Sequence, residues 1–167
     1  GAGFMSPGAG LAALNGSQVK LNKVKFAGNS TAQAGGGLFI DGMSNLLAYN
    51  VELSANKALQ ASAICNLGTA VLRQTLIANN ASTGLSDPST IRNVGTSEII
   101  QSTIADNQNL FACLHNASGA SLLIQNTLMS DTTSVVLKNS GTVSSMNNLI
   151  DDISDEGDFQ FLNHIKS

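Results

Sequence analysis

The chain of 167 residues contains no tryptophan, one tyrosine and six phenylalanines. Large aromatic side chains are too few to fill a broad spherical core. Charged residues make up 11% of the sequence, less than half the share of an ordinary globular domain. Lysine and arginine are outnumbered by aspartate and glutamate, for a net charge of −3. That balance lacks the basic footprint that nucleic acid demands, and no nucleic-acid partner is expected. No run approaches the roughly 18 apolar residues needed to cross a bilayer, so no membrane span is expected. The opening GAGFMSPGAG has neither a charged n-region nor an apolar h-region. The chain is therefore either cytoplasmic or a piece of a longer precursor that carried its own export signal.

What the chain has in quantity is Gly, Ala, Ser, Thr and Asn, which suit narrow stacked layers in one domain. Self-similarity is the dominant signal. The stretch CNLGTAVLRQTLIANN at 65–80 returns as RNVGTSEIIQSTIADN at 92–107. Six segments align on a terminal Asn or Asp: VKFAGN, VELSAN, TLIANN, STIADN, NTLMSD and NNLIDD, with successive endpoints 27, 24, 27, 24 and 21 residues apart. A glycine precedes each endpoint, mostly just after an Asn, as in Asn15-Gly16, Asn66-Leu67-Gly68, Asn93-Val94-Gly95 and Asn139-Ser140-Gly141.

Within each unit the hydrophobic period is two, which indicates strands. Val19 and Leu21 alternate with Lys20 and Asn22, Lys23 breaks the parity, and Val24 and Phe26 continue on the other side of it. A third apolar stretch, such as Leu38-Phe39-Ile40 or Val135-Val136-Leu137, precedes the Asn–Gly landmark. Three short strands per 21–27 residues describe one coil of a parallel β-helix, and about six coils are expected over 8–152. Residues 153–167 are expected to form a cap or tail.

Coils about 4.8 Å apart bring like residues into columns. Phe26, Leu53, Ile77, Ile104, Leu128 and Leu149 are expected to form one apolar column, and Leu21, Ala48, Leu72, Ile99 and Leu123 another. Asn66, Asn93, Asn116 and Asn139 are expected to stack as an amide ladder, and the following glycines to supply positive φ. A coil cannot bury its apolar face until a similar coil lies against it. That is the physical reason for the repetition.

Gly35-Gly36-Gly37-Leu38-Phe39-Ile40, Ile64-Cys65-Asn66-Leu67-Gly68-Thr69 and Thr103-Ile104-Ala105-Asp106-Asn107 resemble repeats of right-handed parallel β-helix proteins of bacterial surfaces. Among these are autotransporter passengers and the polymorphic outer-membrane proteins with their GGA and FxxN motifs. Phe26-Ala27-Gly28-Asn29 fits FxxN, and Gly35 to Leu38 resembles GGA with Gly in place of Ala. The resemblance implies an all-β, right-handed solenoid of the pectate-lyase-like superfold. It further implies an exported or cell-surface location, with a stalk or adhesive surface that meets a glycan or a host-surface ligand. The same coil also serves polysaccharide lyases and glycosidases, so the fold alone does not decide activity. A carbohydrate-active enzyme or glycan-binding module is the main alternative, and a structural subunit of a fibre or particle the second.

Catalytic signatures of the pectin-degrading enzymes are missing: Asp151-Asp152 is the one adjacent pair of aspartates, with no Gly-His-Gly or Arg-x-Lys. No catalytic residue, cofactor or metal is expected. Asp151, Asp152, Asp155, Glu156 and Asp158 could offer oxygens to Ca²⁺, but their spacing is not that of an EF-hand and a solvated turn is the preferred reading.

The residues before each Asn landmark, Cys65, Arg92, His115 and Lys138, are expected to form an outward column. Its three basic members could meet an anionic glycan. Long side chains splaying into solvent is the simpler reading. Gln74, Gln101 and Gln125 are expected to form an outward amide column, and no rank of threonines is found. Cys65 and Cys113 lie two coils apart, roughly 9 to 10 Å by stacking alone, beyond disulfide reach, so two free thiols are expected. The sequons at Asn15, Asn29, Asn80 and Asn116 are no more than the Asn, Ser and Thr content produces by chance. The chain starts in mid-pattern, so further coils or another chain are expected to meet an open N-terminal end.

Overall fold

A computed structural model of the chain describes residues 8–109, 111–130, 135–151, 153–155 and 157–162. These residues form strands and turns, with no helix among them, and so none long and apolar enough to cross a membrane. The strands stack as a parallel β-solenoid. The first face holds Leu11–Ala13, Leu38–Ile40, Ile64–Asn66, Ser89–Asn93, Ala112–Asn116, Val135–Asn139 and Ile153–Asp155, in that spatial order. The second holds Gln18–Asn22, Asn45–Tyr49, Thr69–Arg73, Thr96–Ile100, Ser121–Gln125, Thr142–Met146 and Asp158–Leu162. The third holds Lys25–Ala27, Glu52–Ser54, Leu76–Ala78, Thr103–Ala105, Leu128–Ser130 and Leu149–Ile150. Each of the first six coils thus gives one strand to each face. The stacking continues past residue 152: Leu137 pairs with Ile153, and Val143 with Phe159. Asn163 onward, the rest of the expected cap or tail, lies outside the described residues.

Alternation within strands sends every second side chain inward. On the third face Phe26, Leu53, Ile77 and Ile104 stand in register. The column continues with Met129 and Ile150, not with Leu128 and Leu149. On the second face Ile99 is followed by Ile124, so Leu123 turns outward beside Glu98. Both corrections are slips of one residue, which move a side chain to the opposite face. Met129 and Ile150 are fully buried, whereas Leu128 and Leu149 are exposed.

The corners are built from left-handed backbone. Lys23, Asn50, Gln74, Gln101, Asn126 and Asn147 all have φ between 51° and 54°. One such residue follows each of the first six second-face strands and turns the chain toward the third face. Side chains there are exposed, and Asn tolerates this conformation best of the non-glycine residues. The expected parity break at Lys23 is this turn.

Two amide ladders run inside the stack. Asn66 Nδ2 donates to Asn93 Oδ1 at 3.0 Å, Asn93 to Asn116 at 2.8 Å and Asn116 to Asn139 at 2.9 Å. Each also donates to a backbone carbonyl of the next coil, of Thr96, Ser121 and Thr142 respectively. The four side chains are completely buried, so an unmet amide here would cost about 1–3 kcal/mol. At the next corner Asn29, Asn56, Asn80 and Asn107 form a second ladder, with Nδ2 to Oδ1 distances of 2.8, 3.0 and 3.0 Å. Thr75, Ser102, Thr127 and Asn148 make a further inner polar column, whose side-chain oxygens accept the backbone N–H of the preceding coil.

Gly68, Gly95 and Gly141, after the Asn landmarks, do not have positive φ; among the landmark glycines Gly16 and Gly119 do. Close approach explains the first three. A Cβ on Gly95 would run into the carbonyl oxygens of Gly68 and Leu67, and one on Gly141 into those of Ala120 and Ala117.

Candidate functional site

Titratable side chains gather on the outward side of the first face. Strand parity places Ile64 and Asn66 inside and Cys65 between them. The register then carries Cys65 to Arg92, His115 and Lys138 on successive coils, as expected from the sequence. The three basic residues do not splay into solvent. Arg92 Nε donates to Asp87 Oδ2 at 3.0 Å, and His115 Nδ1 lies 2.7 Å from the same oxygen. Asp87 comes from the segment Thr83–Pro88, which connects the short strand Ala81–Ser82 to Ser89–Asn93. It has φ of 52°, which aims its carboxylate back onto the column.

Phe111 completes the group. Its ring meets the His115 imidazole edge-on at 5.2 Å between centroids, and Lys138 Nζ lies 4.7 Å from its centre. One carboxylate thus lies against two basic groups and one aromatic ring against the third. Asp87 Oδ1 is buried without a hydrogen-bond partner. Cys65, at the end of the column, is buried, and burial pushes its thiol up to about 11; the nearby Arg92 charge lowers it and that of Asp87 raises it. A thiol so protonated is a poor nucleophile. Cys65 and Cys113 are both free.

The segment that delivers Asp87 also walls a groove. About 580 Å³ of open space lies between residues 32–34, 59–60 and 83–86, on three successive coils. Among the described residues no group of three or more His, Cys, Asp or Glu side chains stands close enough to hold a metal ion. Asp152 and Glu156 of the acidic cluster lie outside those residues.

Elsewhere the outward columns are mixed. Lys25 and Glu52 pair across coils at 2.8 Å, and Arg73 and Glu98 approach to 3.9 Å. Gln74 and Gln101 occupy the same corner, but Gln125 does not join them: it pairs with Ile100, and Asn126 takes the corner position. Thr103 sits between Leu76 and Leu128, whereas Thr127 belongs to the inner polar column. A hydroxyl rank the sequence reading missed does exist on the second face, where Thr69, Thr96, Ser121 and Thr142 stand in register and exposed. The signal was present in the sequence as a Thr or Ser one or two residues after each landmark glycine.

Compared with protein-family models, with curated proteins and with solved structures, the chain matches none of them.

Proposed function

We propose that the chain is a non-catalytic β-helix of an exported or cell-surface protein, serving as a rigid stalk or binding surface. One observation carries this reading: the gathered basic side chains are engaged with Asp87 and Phe111, an arrangement that fixes structure and presents no free base or nucleophile. The interior supports it. Two amide ladders and continuous apolar columns tie each coil to the next. Such quasi-one-dimensional stacking gives a stiff rod with large outer faces. The surface location follows from the resemblance of the repeats to those of bacterial surface β-helix proteins.

Two measurements test it together. Antibody raised against the chain should label intact cells of the source organism, and incubation of the pure chain with acidic and neutral polysaccharides should release neither unsaturated nor reducing ends. Labelling only after lysis removes the surface assignment, and product formation removes the non-catalytic one.

A further inference from the structure

The groove between residues 32–34, 59–60 and 83–86 has the volume of a small-ligand site: about 580 Å³, against roughly 300–1,000 Å³ for such sites generally. Its lining is of two kinds. Ala32, Ala34, Leu59 and Leu85 provide apolar walls, and Leu59 and Leu85 are exposed. Gln33, Gln60, Thr83 and Ser86 add amides and hydroxyls, and no charged side chain lines the space. Gln60 Nε2 donates to the Ser86 carbonyl at 2.7 Å. The Gln33 amide and the Thr83 and Ser86 hydroxyls have no protein hydrogen-bond partner among the described residues.

The groove is held in shape from behind. Leu59 and Gln60 both donate their backbone N–H to the Gln33 carbonyl, at 3.0 and 3.2 Å, and Gly84 donates to the Leu59 carbonyl at 2.8 Å. Asp87 pins the outer wall through Arg92 and His115. Ala61 and Asp87, which flank the groove, both have left-handed backbone, with φ of 51° and 52°.

We propose that this groove binds an uncharged saccharide of one or two rings. Sugar hydroxyls both donate and accept, as the amides and hydroxyls of the lining require, while the C–H faces of a pyranose pack on Leu59 and Leu85. A charged ligand would lose hydration with no opposite charge to meet it. An alkyl chain would leave the amides unmatched. A second protein is disfavoured by extent: nine residues line the groove, whereas a stable interface takes about 20–30 residues a side. This inference depends on the fold and not on the stalk reading, and surface labelling of cells does not bear on it.

Saturation-transfer NMR on the full chain tests it, with glucose, N-acetylglucosamine, maltose and cellobiose as neutral probes and galacturonate and octanol as contrasting ones. Transfer is expected to at least one neutral sugar and to neither contrasting probe. Gln33→Ala should weaken binding about tenfold, the loss of one hydrogen bond, and Leu59→Asp should abolish it, both with an unchanged thermal transition. Arg73→Ala, on the second face and outside the groove lining, should leave it intact. The proposal is overturned if no neutral sugar receives transfer, if galacturonate or octanol binds and is lost in the same variants, or if binding survives both groove substitutions.

Discussion

His115 Nδ1 and Asp87 Oδ2 lie 2.7 Å apart although 28 residues separate them in the chain, and the same carboxylate oxygen accepts from Arg92. The contact joins a segment outside the repeat to the repeated face. It fixes where that segment lies.

Removing this contact should loosen the segment more than the stack. Asp87→Ala deletes two charge-assisted hydrogen bonds at side chains less than a third exposed, worth about 1–3 kcal/mol. Limited proteolysis is expected to cut the variant within residues 83–88 while far-UV circular dichroism stays that of the parent. Unchanged protease resistance would show that the contact does not hold the segment.

Register in the last coils can be tested with neighbouring residues. Met129→Ala opens a cavity in the core and should cost about 2–5 kcal/mol. Leu128→Ala trims a side chain 40% exposed and should cost about 0.5 kcal/mol or less. Urea denaturation of the two variants checks the order. A larger loss at Leu128 would place the sequence-derived column, and not the structural one, inside.

Gly95→Ala adds a Cβ against the backbone carbonyls of Gly68 and Leu67, where no flexible side chain can give way. A loss of about 1–3 kcal/mol is expected from the forced shift. Gly16→Ala meets nothing within 4 Å but adopts φ of 78°, so its cost is conformational, about 1 kcal/mol. Thermal melts of both variants should show Gly95→Ala as the more damaging. The reverse order would point to φ as the reason for the landmark glycines.

The buried Cys65 thiol makes stability fall at high pH. Its pKa rises from 9.0 to about 11 on folding, so the unfolded chain ionises first. The associated stability is complete below about pH 9 and is lost as pH rises toward about 11. Urea midpoints measured from pH 8 to 11 should decline for the parent, and the part of the decline due to Cys65 should vanish in Cys65→Ala. An identical decline in the two would remove the thiol as its cause.

The sequence made the coil legible wherever its landmarks repeat. Asn66, Asn93, Asn116 and Asn139 were placed as a ladder and are one, and the column through Phe26, Leu53, Ile77 and Ile104 stands in register. Legibility failed where the landmark changed. The fifth segment reads MSDT in place of IADN, and aligning it on Asp131 shifts Leu128 inward by one residue; the real pairing is Met129 with Ile104. The Asp87 contact was invisible for another reason. The connection from Asn80 to Ile91 is longer than its counterparts from Asn56 to Ile64 and from Asn107 to Leu114, and the column of Arg92, His115 and Lys138 gives no sign of what covers it. The groove beside it was hidden in the same way, because it depends on how a non-repeating segment returns to the stack.

Buried asparagine side chains bind successive coils to one another. Hydrogen exchange of side-chain amides, followed by ¹⁵N NMR, tests this most directly. The Nδ2 protons of Asn66, Asn93 and Asn116 are expected to persist far longer in D₂O than those of the exposed corner residues Asn50 and Asn126. Exchange of all five at the same fast rate would contradict it.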